Sequence, residues 1–292
     1  MQAIIHPPKF LYGIIGHPLS HSLSPALHTW AMAKTGHAGA FCAWPVATER
    51  LAEFVRAARE LPIHGLCVTI PHKTAVLPML DGLTDAAQAV GAANTLFWRA
   101  GKLWGHNTDV TGFLAGLDNF RANHGTPQSA LILGAGGAAH AVLHALQSLG
   151  VAEISLAARN AQAGAALAAR FGGKFVPWEM RASHHAQLVI NTTPLGMTGS
   201  SGTGETPLSS ADFKILRGDF APTACLAYDL VYNPLRTPFL EAAATAGWNV
   251  QEGLTMLAAQ GLAQFELWSG KPAPNLAGAV EVLNSALAAA SV

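Results

Sequence analysis

The chain has 292 residues, is 50% apolar and only 12% charged, and carries a formal net charge of zero. Those values exclude a disordered chain, which lacks apolar residues to bury, and a nucleic-acid binder, which needs a basic face to neutralise phosphates. The length exceeds one ordinary hydrophobic core and suits two α/β domains.

Cys42, Cys67 and Cys225 lie scattered in apolar stretches with no CxxC pair. Neither a disulfide framework nor a zinc ribbon is on offer, and a reducing cytoplasm is the expected compartment. The stretch Met1 to Lys9 lacks the charged and apolar regions of a signal peptide. Ser129 to Ala152 contains no Asp, Glu, Lys or Arg, yet it holds His140, His144, Gln147 and several glycines. That composition suits a strand-turn-helix unit better than a membrane span.

Phe10 to Ile15 reads as a short buried strand. Ser24 is placed to cap a helix, with Pro25 at its first position and an end near Gly36. Ala40 to Val46 is a second strand. Thr48 caps a helix through Glu60, with Leu51, Phe54, Val55 and Ala58 along one face. Gly65 to Ile70 is a third strand, which Pro71-His72-Lys73 leaves directly. Strands alternating with helices predict βαβ units and a mainly parallel sheet. A hairpin from Asn94 to His106, turning at Ala100-Gly101-Lys102, closes this first domain.

A helix over Thr108 to Asn119 leads out of it, and the polar run Arg121 to Ser129 marks the boundary. A second series follows: strand Ala130 to Leu133, helix Gly137 to Leu149, strand Glu153 to Ala157, and a helix to Phe171. Strands Leu188 to Asn191 and Cys225 to Leu230 flank a Gly/Ser/Thr-rich stretch, Thr198 to Thr206, expected to be a mobile loop. Thr237-Pro238 opens another helix, and Gly253 to Ser269 and Asn275 to Ala290 form a closing helical pair. The expected fold is therefore α/β with two domains: a mainly parallel substrate domain over residues 1–108 and a Rossmann-type dinucleotide-binding domain over 125–252. A connecting helix over 109–124 joins them, and C-terminal helices over 253–292 pack back toward the first domain.

Gly134, Gly136 and Ala139 match the G-x-G-x-x-G/A spacing of a dinucleotide turn. Such a turn lets backbone amides and a helix N-terminus face a pyrophosphate without intervening side chains. The spacing alone is weak in a chain with 29 glycines. Its context, directly after the strand Ala-Leu-Ile-Leu and directly before an alanine-rich helix, strengthens it. About twenty residues on, where an acid would select NAD and an arginine the 2′-phosphate of NADP, stands Arg159. The simpler alternatives are a structural glycine turn and a solvated surface arginine.

The first domain supplies Ser22, Ser24, Thr69, Lys73, Asn94 and, at its end, Asp109. Moving a hydride off a secondary alcohol needs a group that takes the hydroxyl proton. A lysine near an aspartate that orients it suits that role, and hydroxyls and amides suit a polyhydroxylated ring. Each residue also has a plain structural reading. Lys73 alone is a surface lysine, Asp109 a helix first-turn acid, and Ser22 and Ser24 turn and cap residues.

At these residues the chain resembles the shikimate/quinate dehydrogenase family, almost end to end. Gly16-His17-Pro18-Leu19-Ser20-His21-Ser22-Leu23-Ser24-Pro25 is similar to its substrate loop. Val68-Thr69-Ile70-Pro71-His72-Lys73 resembles its V-T-x-P-x-K segment, and Gly91-Ala92-Ala93-Asn94-Thr95 and Asn107-Thr108-Asp109 resemble its asparagine- and aspartate-bearing segments. Asn191-Thr192-Thr193-Pro194-Leu195-Gly196-Met197 is similar to its N-A-T-x-x-G-M loop. Tyr228-Asp229-Leu230-Val231-Tyr232-Asn233-Pro234 and Gly253 through Gln260-Gly261 resemble its C-terminal signatures.

The resemblance implies NADP-dependent interconversion of 3-dehydroshikimate and shikimate, a step of aromatic amino-acid biosynthesis, with Lys73 and Asp109 as the acid-base pair. It implies substrate binding by Ser22, Ser24, Thr69, Asn94, Tyr232 and Gln260. Cofactor binding is implied at Gly134, Ala135, Gly136, Gly137, Ala138, Arg159, Thr192, Thr193, Met197 and Gly253. Two departures stand out: Ala163 replaces a second basic residue a turn beyond Arg159, and Val110 replaces the glycine after the aspartate. The first leaves NAD as an alternate cofactor.

No metal is expected. His140 and His144 are spaced i, i+4, but no glutamate lies between them as in HExxH. Trp98 and Trp104, flanking the hairpin turn, read as packing. The partner expected is a small-molecule substrate, with no nucleic acid or membrane, on a monomer or homodimer. Two other readings remain beside the leading one. One is a paralogue acting on quinate or another cyclitol acid. The other is a catalytically silent metabolite-binding protein, against which intact Lys73 and Asp109 count.

Overall fold

The computed structural model describes residues 8–290; the amino-terminal segment read above for targeting signals lies, through residue 7, outside the described residues. The chain divides into two compact units, one of residues up to Thr108 together with those from Gly261 on, the other Asp109–Gln260.

In chain order the first unit carries β1 (Phe10–Gly16), α1 (Ser24–Thr35), β2 (Gly39–Pro45), α2 (Leu51–Glu60) and β3 (Ile63–Val68). It continues with α3 (His72–Ala75), β4 (Gly82–Leu83), α4 (Asp85–Val90), β5 (Thr95–Arg99) and β6 (Lys102–His106). Strand order is β2-β1-β3-β5-β6-β4. The pairings β1–β2, β1–β3 and β4–β6 are parallel, whereas β3–β5 and β5–β6 are antiparallel. The sheet is thus mixed, because the hairpin β5–β6 joins directly onto β3. Side chains alternate faces along each strand. Ile15, Leu66 and Val68 bury with Leu51, Val55 and Ala58 of α2, while Tyr12, Ile14 and Cys67 turn the other way.

The second unit begins with α5 (Asp109–His124), β7 (Ser129–Leu133), α6 (Gly137–Ser148), β8 (Glu153–Ala158), α7 (Ala161–Arg170) and β9 (Lys174–Pro177). β10 (Leu188–Asn191), α8 (Ser210–Arg217), β11 (Leu226–Asp229), α9 (Pro238–Thr245) and β12 (Asn249–Gln251) follow. The chain closes with α10 (Leu254–Ser269), which the division at Gly261 splits, and α11 (Leu276–Ala290). The sheet order is β12-β11-β10-β7-β8-β9, and its pairings are parallel. That is the doubly wound dinucleotide order, with a switch point between β7 and β10. Both faces are covered: Ile132, Ile190 and Tyr228 pack with Phe113, Val142 and Leu146, and Leu131, Leu133 and Val189 with Phe213, Phe239 and Leu240. Burial on both sides explains why these strands read as unbroken apolar runs.

The structure differs from the sequence expectations at several points. Ser24 does not cap α1; it is the first helical residue, Leu23 precedes it without a side-chain cap, and the Ser22 hydroxyl oxygen accepts from the Ser24 N–H at 3.4 Å. Thr48 opens a 3₁₀ turn over Thr48–Arg50 rather than capping α2. The polar run from Arg121 continues α5 to His124 rather than forming a linker, and the helix expected to connect the domains belongs to the second compact unit. The Thr198–Thr206 stretch is not featureless but built of turns: Gly196 N–H donates to the Gly202 carbonyl at 2.8 Å, and the Thr203 hydroxyl donates to the Met197 carbonyl at 2.9 Å. Among the described residues, no helix is long and apolar enough to cross a membrane.

Candidate active site

In the first unit the candidate groups lie after the carboxyl ends of β1 and β3 and just before the amino end of the antiparallel β5. Ser22 and Ser24 follow β1, and Thr69, directly after β3, donates its N–H to the Ile15 carbonyl at 2.9 Å. Asn94 precedes β5 and accepts at its carbonyl from the Val68 N–H at 2.7 Å, which sets it beside the end of β3. Lys73 sits in the short helix α3, where its carbonyl accepts from the Ala93 N–H at 2.8 Å. Thr69, Lys73 and Asn94 therefore share one end of this sheet.

The buried Asn94 amide is held on both sides. Its nitrogen donates to the Thr108 hydroxyl at 2.9 Å, and its oxygen accepts from the Thr108 N–H at 2.9 Å and the Thr95 hydroxyl at 2.8 Å. Asn107 donates to the Ala92 carbonyl at 2.9 Å. The segment leading into Asp109 is thus pinned to the Asn94 loop, and Asp109 itself is buried at the first position of α5.

Sequence reasoning missed two supports in this unit. Gln264 donates to the Asn94 carbonyl and to the Thr95 hydroxyl, each at 3.0 Å, and accepts from the Cys67 thiol at 3.0 Å. His72, fully buried, holds the Val46 carbonyl at 2.7 Å and so anchors the turn that carries Lys73. His72 was visible in the V-T-x-P-x-K segment but had no role there; Gln264 follows Gln260 by one helical turn, the spacing that puts both on one face.

In the second unit the glycine turn stands at the switch point. Gly134 has φ +106°, a conformation L side chains avoid, and an added Cβ would meet Thr192 Oγ1 at 2.8 Å. Thr192 donates its N–H and hydroxyl to the Leu133 carbonyl at 3.0 and 2.8 Å, closing the loop after β10 onto the turn after β7. At Gly136 an added Cβ would meet nothing within 4 Å, so the backbone is open to an approaching ligand. The first turn of α6 carries no acid. Helix first-turn N–H groups have no intrahelical acceptors, and Gly137 and Ala138 lie there. An open backbone, unopposed N–H donors and no nearby carboxylate on that turn fit a pyrophosphate.

Arg159 is exposed just past β8, and Asn160 caps α7 by accepting from the Ala163 N–H at 3.0 Å. The Thr193 hydroxyl donates to Asn191 Oδ1 at 2.6 Å, so the hydroxyl protons of Thr192 and Thr193 both serve the loop's own shape. Met197, half-buried, follows the Pro194 turn. Gly253 is a glycine for another reason: its Cβ would meet the Leu230 carbonyl oxygen at 2.5 Å. Tyr232 is half-buried in the turn after β11, and Gln260 on α10 donates to the Leu257 carbonyl at 2.9 Å.

Other candidate features lie elsewhere. His140 and His144 present their rings to Phe171 at centroid distances of 6.5 and 6.3 Å. Among the described residues no group of three or more metal-ligating side chains gathers. A surface groove lined by Ser129, Glu153, Lys174, His184 and His185 lies at the amino ends of β7 and β8, the opposite end of that sheet from the glycine turn.

Comparison with known proteins points one way. The family model "Shikimate dehydrogenase substrate binding domain" matches residues 14–96, and "Shikimate 5'-dehydrogenase C-terminal domain" matches 253–280. A shikimate dehydrogenase (NADP(+)) of Oleidesulfovibrio alaskensis is 52% identical over 267 residues, covering 91% of this chain and 92% of that protein. The structure of a shikimate 5-dehydrogenase from Thermus thermophilus, in complex with NADP(H) and shikimate, superposes with a TM-score of 0.80 at 38% identity, covering 95% of this chain and 99% of that one. A shikimate 5-dehydrogenase from Listeria monocytogenes, in complex with shikimate and NAD, has a TM-score of 0.80 at 30% identity, covering 96% and 99%.

Proposed function

The chain belongs to the shikimate dehydrogenase family, and we propose on that premise that it catalyses the reversible, NADP-dependent reduction of 3-dehydroshikimate to shikimate in aromatic amino-acid biosynthesis. The observation that carries the reading is the presence, in one chain, of two separately built ends of sheet. One is an open glycine turn at a parallel switch point; the other gathers Thr69, Lys73 and Asn94.

Bound at the glycine turn, the nicotinamide cofactor supplies the hydride donor or acceptor. Lys73 exchanges the proton at the reacting oxygen, and Asp109 pairs with it and holds its orientation. Ser22 and Ser24 hold the substrate carboxylate, and Thr69, Asn94, Tyr232 and Gln260 fix the ring hydroxyls. Asn94 suits this because its amide orientation is set before substrate arrives. Gly134 through Ala138 and Gly253 offer backbone to the cofactor, Thr192, Thr193 and Met197 line it, and Arg159 takes the 2′-phosphate. With Ala163 following, Arg159 stands without a second base a turn later, so NAD is a weaker alternate cofactor. A monomer or homodimer working in the cytoplasm completes the reading.

Initial rates with shikimate and quinate, each with NADP⁺ and NAD⁺, test it. Shikimate with NADP⁺ is expected to give the highest kcat/KM. A higher value with quinate would move the assignment to the cyclitol-acid paralogue, and no turnover with any pair would leave the silent binder.

A further inference from the structure

Asp229 is the one acid in the apolar run Cys225 to Val231, and it is fully buried. An acid in such a place must be hydrogen-bonded or neutral. It accepts three hydrogen bonds: from Asn191 Nδ2 at 3.0 Å, the Val231 N–H at 3.0 Å and the Thr237 hydroxyl at 2.6 Å. What distinguishes it from an ordinary satisfied core acid is where those donors belong. Asn191 begins the loop read as the cofactor side, Val231 directly precedes Tyr232, and Thr237 caps α9 through the Leu240 N–H.

Asn191 and Asp229 are register partners at the carboxyl ends of neighbouring parallel strands, so their side chains lie side by side. Asn191 in turn shapes the loop. Its nitrogen also reaches the Leu195 carbonyl at 3.3 Å, and its oxygen accepts from the Thr193 N–H at 3.0 Å and hydroxyl at 2.6 Å. A carboxyl oxygen on one side decides which way that amide faces: nitrogen to Asp229, oxygen to Thr193. Without it the amide loses the neighbour that orients it, and the turn over Thr193 to Leu195 loses its template.

We propose that Asp229 is a positioning residue for the cofactor, holding the 191–197 loop in its receptive shape by orienting Asn191. The inference rests on the reading of that loop as the cofactor side. Burial pushes the Asp229 carboxyl up to about 7, and the geometry accommodates both forms. Oδ1 remains an acceptor for Asn191 and Val231, while the Thr237 hydroxyl can turn to accept from a protonated Oδ2. An asparagine would reproduce the protonated form, which makes Asp229→Asn the conservative variant.

The test measures NADPH dissociation constants by nucleotide fluorescence, with shikimate KM alongside, in Asp229→Ala, Asp229→Asn and Thr237→Val, with Gly136→Val as reference. Asp229→Ala is expected to weaken NADPH about tenfold or more while shikimate KM moves less than about threefold, the scale of one lost hydrogen bond to a charged group. Asp229→Asn should restore NADPH affinity to within about threefold of the parent, and Thr237→Val should show the same split in smaller measure. Equal losses of both affinities, unchanged NADPH affinity, or failure of asparagine to restore it would each overturn the proposal. If Asp229→Ala does not fold, Thr237→Val and Asp229→Asn decide it on the same criterion. Gly136→Val places a branched side chain in the open approach: unchanged NADPH binding there would remove the dinucleotide-site reading itself, whereas a loss there beside no change in Asp229→Ala removes only the role of Asp229.

Discussion

The two sheets present their candidate ligand-binding groups in different chemical forms. In the second unit the turn after β7 offers backbone, and its residues matter for what they lack: Gly134 for its positive φ, Gly136 for the open space above it. In the first unit the offering is side chains, and each needs a support. Asn94 is held by Thr108 and backed by Gln264, and the Lys73 turn is held by Ala93 and His72. A backbone turn is set mainly by local chain geometry, so its core can be written in a few adjacent residues. A side-chain site needs a buried polar network drawn from distant segments, because rotamers otherwise move.

The sharpest way to separate the two is chemical. Lys73→Ala should lower kcat by roughly 10²- to 10⁴-fold with little change in shikimate KM or NADPH affinity, the range of a lost acid-base group. Steady-state kinetics with both ligands varied would show it; unchanged kcat would mean that no essential proton passes through Lys73. On the other sheet, Arg159→Ala should act on cofactor choice alone, reducing the preference for NADPH over NADH by about tenfold. A preference left intact would place the 2′-phosphate elsewhere.

The units should also answer acid in opposite directions. Burial pushes His28 in the first unit from 6.5 down to about 3, and lowers His106 as well. Below pH 6.5 the unfolded chain takes up protons that folded His28 refuses, so the first unit loses stability as pH falls toward 3. Asp229 runs the other way: raised from 3.8 to about 7, it binds a proton in the folded state first, and the second unit gains as pH falls through that window. Hydrogen-exchange protection, corrected for intrinsic rates, should fall in β1 and β3 between pH 7 and 5 while holding or rising in β10 and β11. Parallel loss in both sheets would contradict this opposition.

The smallest expected effect concerns packing in the core of the second unit. Among the described residues the buried Tyr228 hydroxyl has no hydrogen-bond partner, and it lies over Gly116. Tyr228→Phe should therefore be neutral or stabilising by up to about 1 kcal/mol, with no change in NADPH affinity, as read by thermal unfolding and nucleotide titration. A clear loss of stability would show that the hydroxyl has an acceptor after all.

Legibility followed the same division. The strand-turn-helix around Gly134 was readable because strand, turn and helix are contiguous and their periodicities change at the glycines. Lys73, Asn94 and Asp109 were readable as short segments but not as a supported group. Gln264 lies 170 residues from Asn94, and Asn191 lies 38 from Asp229; no local pattern connects such pairs. The short strands β4, β9 and β12 went unread because two to four residues at or near a sheet edge carry too little apolar repetition. The helix α8 did carry a signal, the reciprocal Ser209–Asp212 capping box, hidden behind a run of polar residues. Ser24 misled because a serine before a proline is a common helix start; here the Ser22 hydroxyl already accepts its N–H.

Gln264 has a further consequence, for the order in which the protein can assemble. Together with Trp268, which donates to the Leu96 carbonyl at 3.0 Å, it binds α10 to strands read off the ribosome some 170 residues earlier. The second unit is continuous in sequence, whereas the first needs residues from Gly261 on. During synthesis the dinucleotide-type sheet can therefore close while the amino-terminal sheet still waits for its last helices, its apolar face bare. The amino-terminal sheet, although its strands precede the second unit in the chain, is thus among the last parts to be finished.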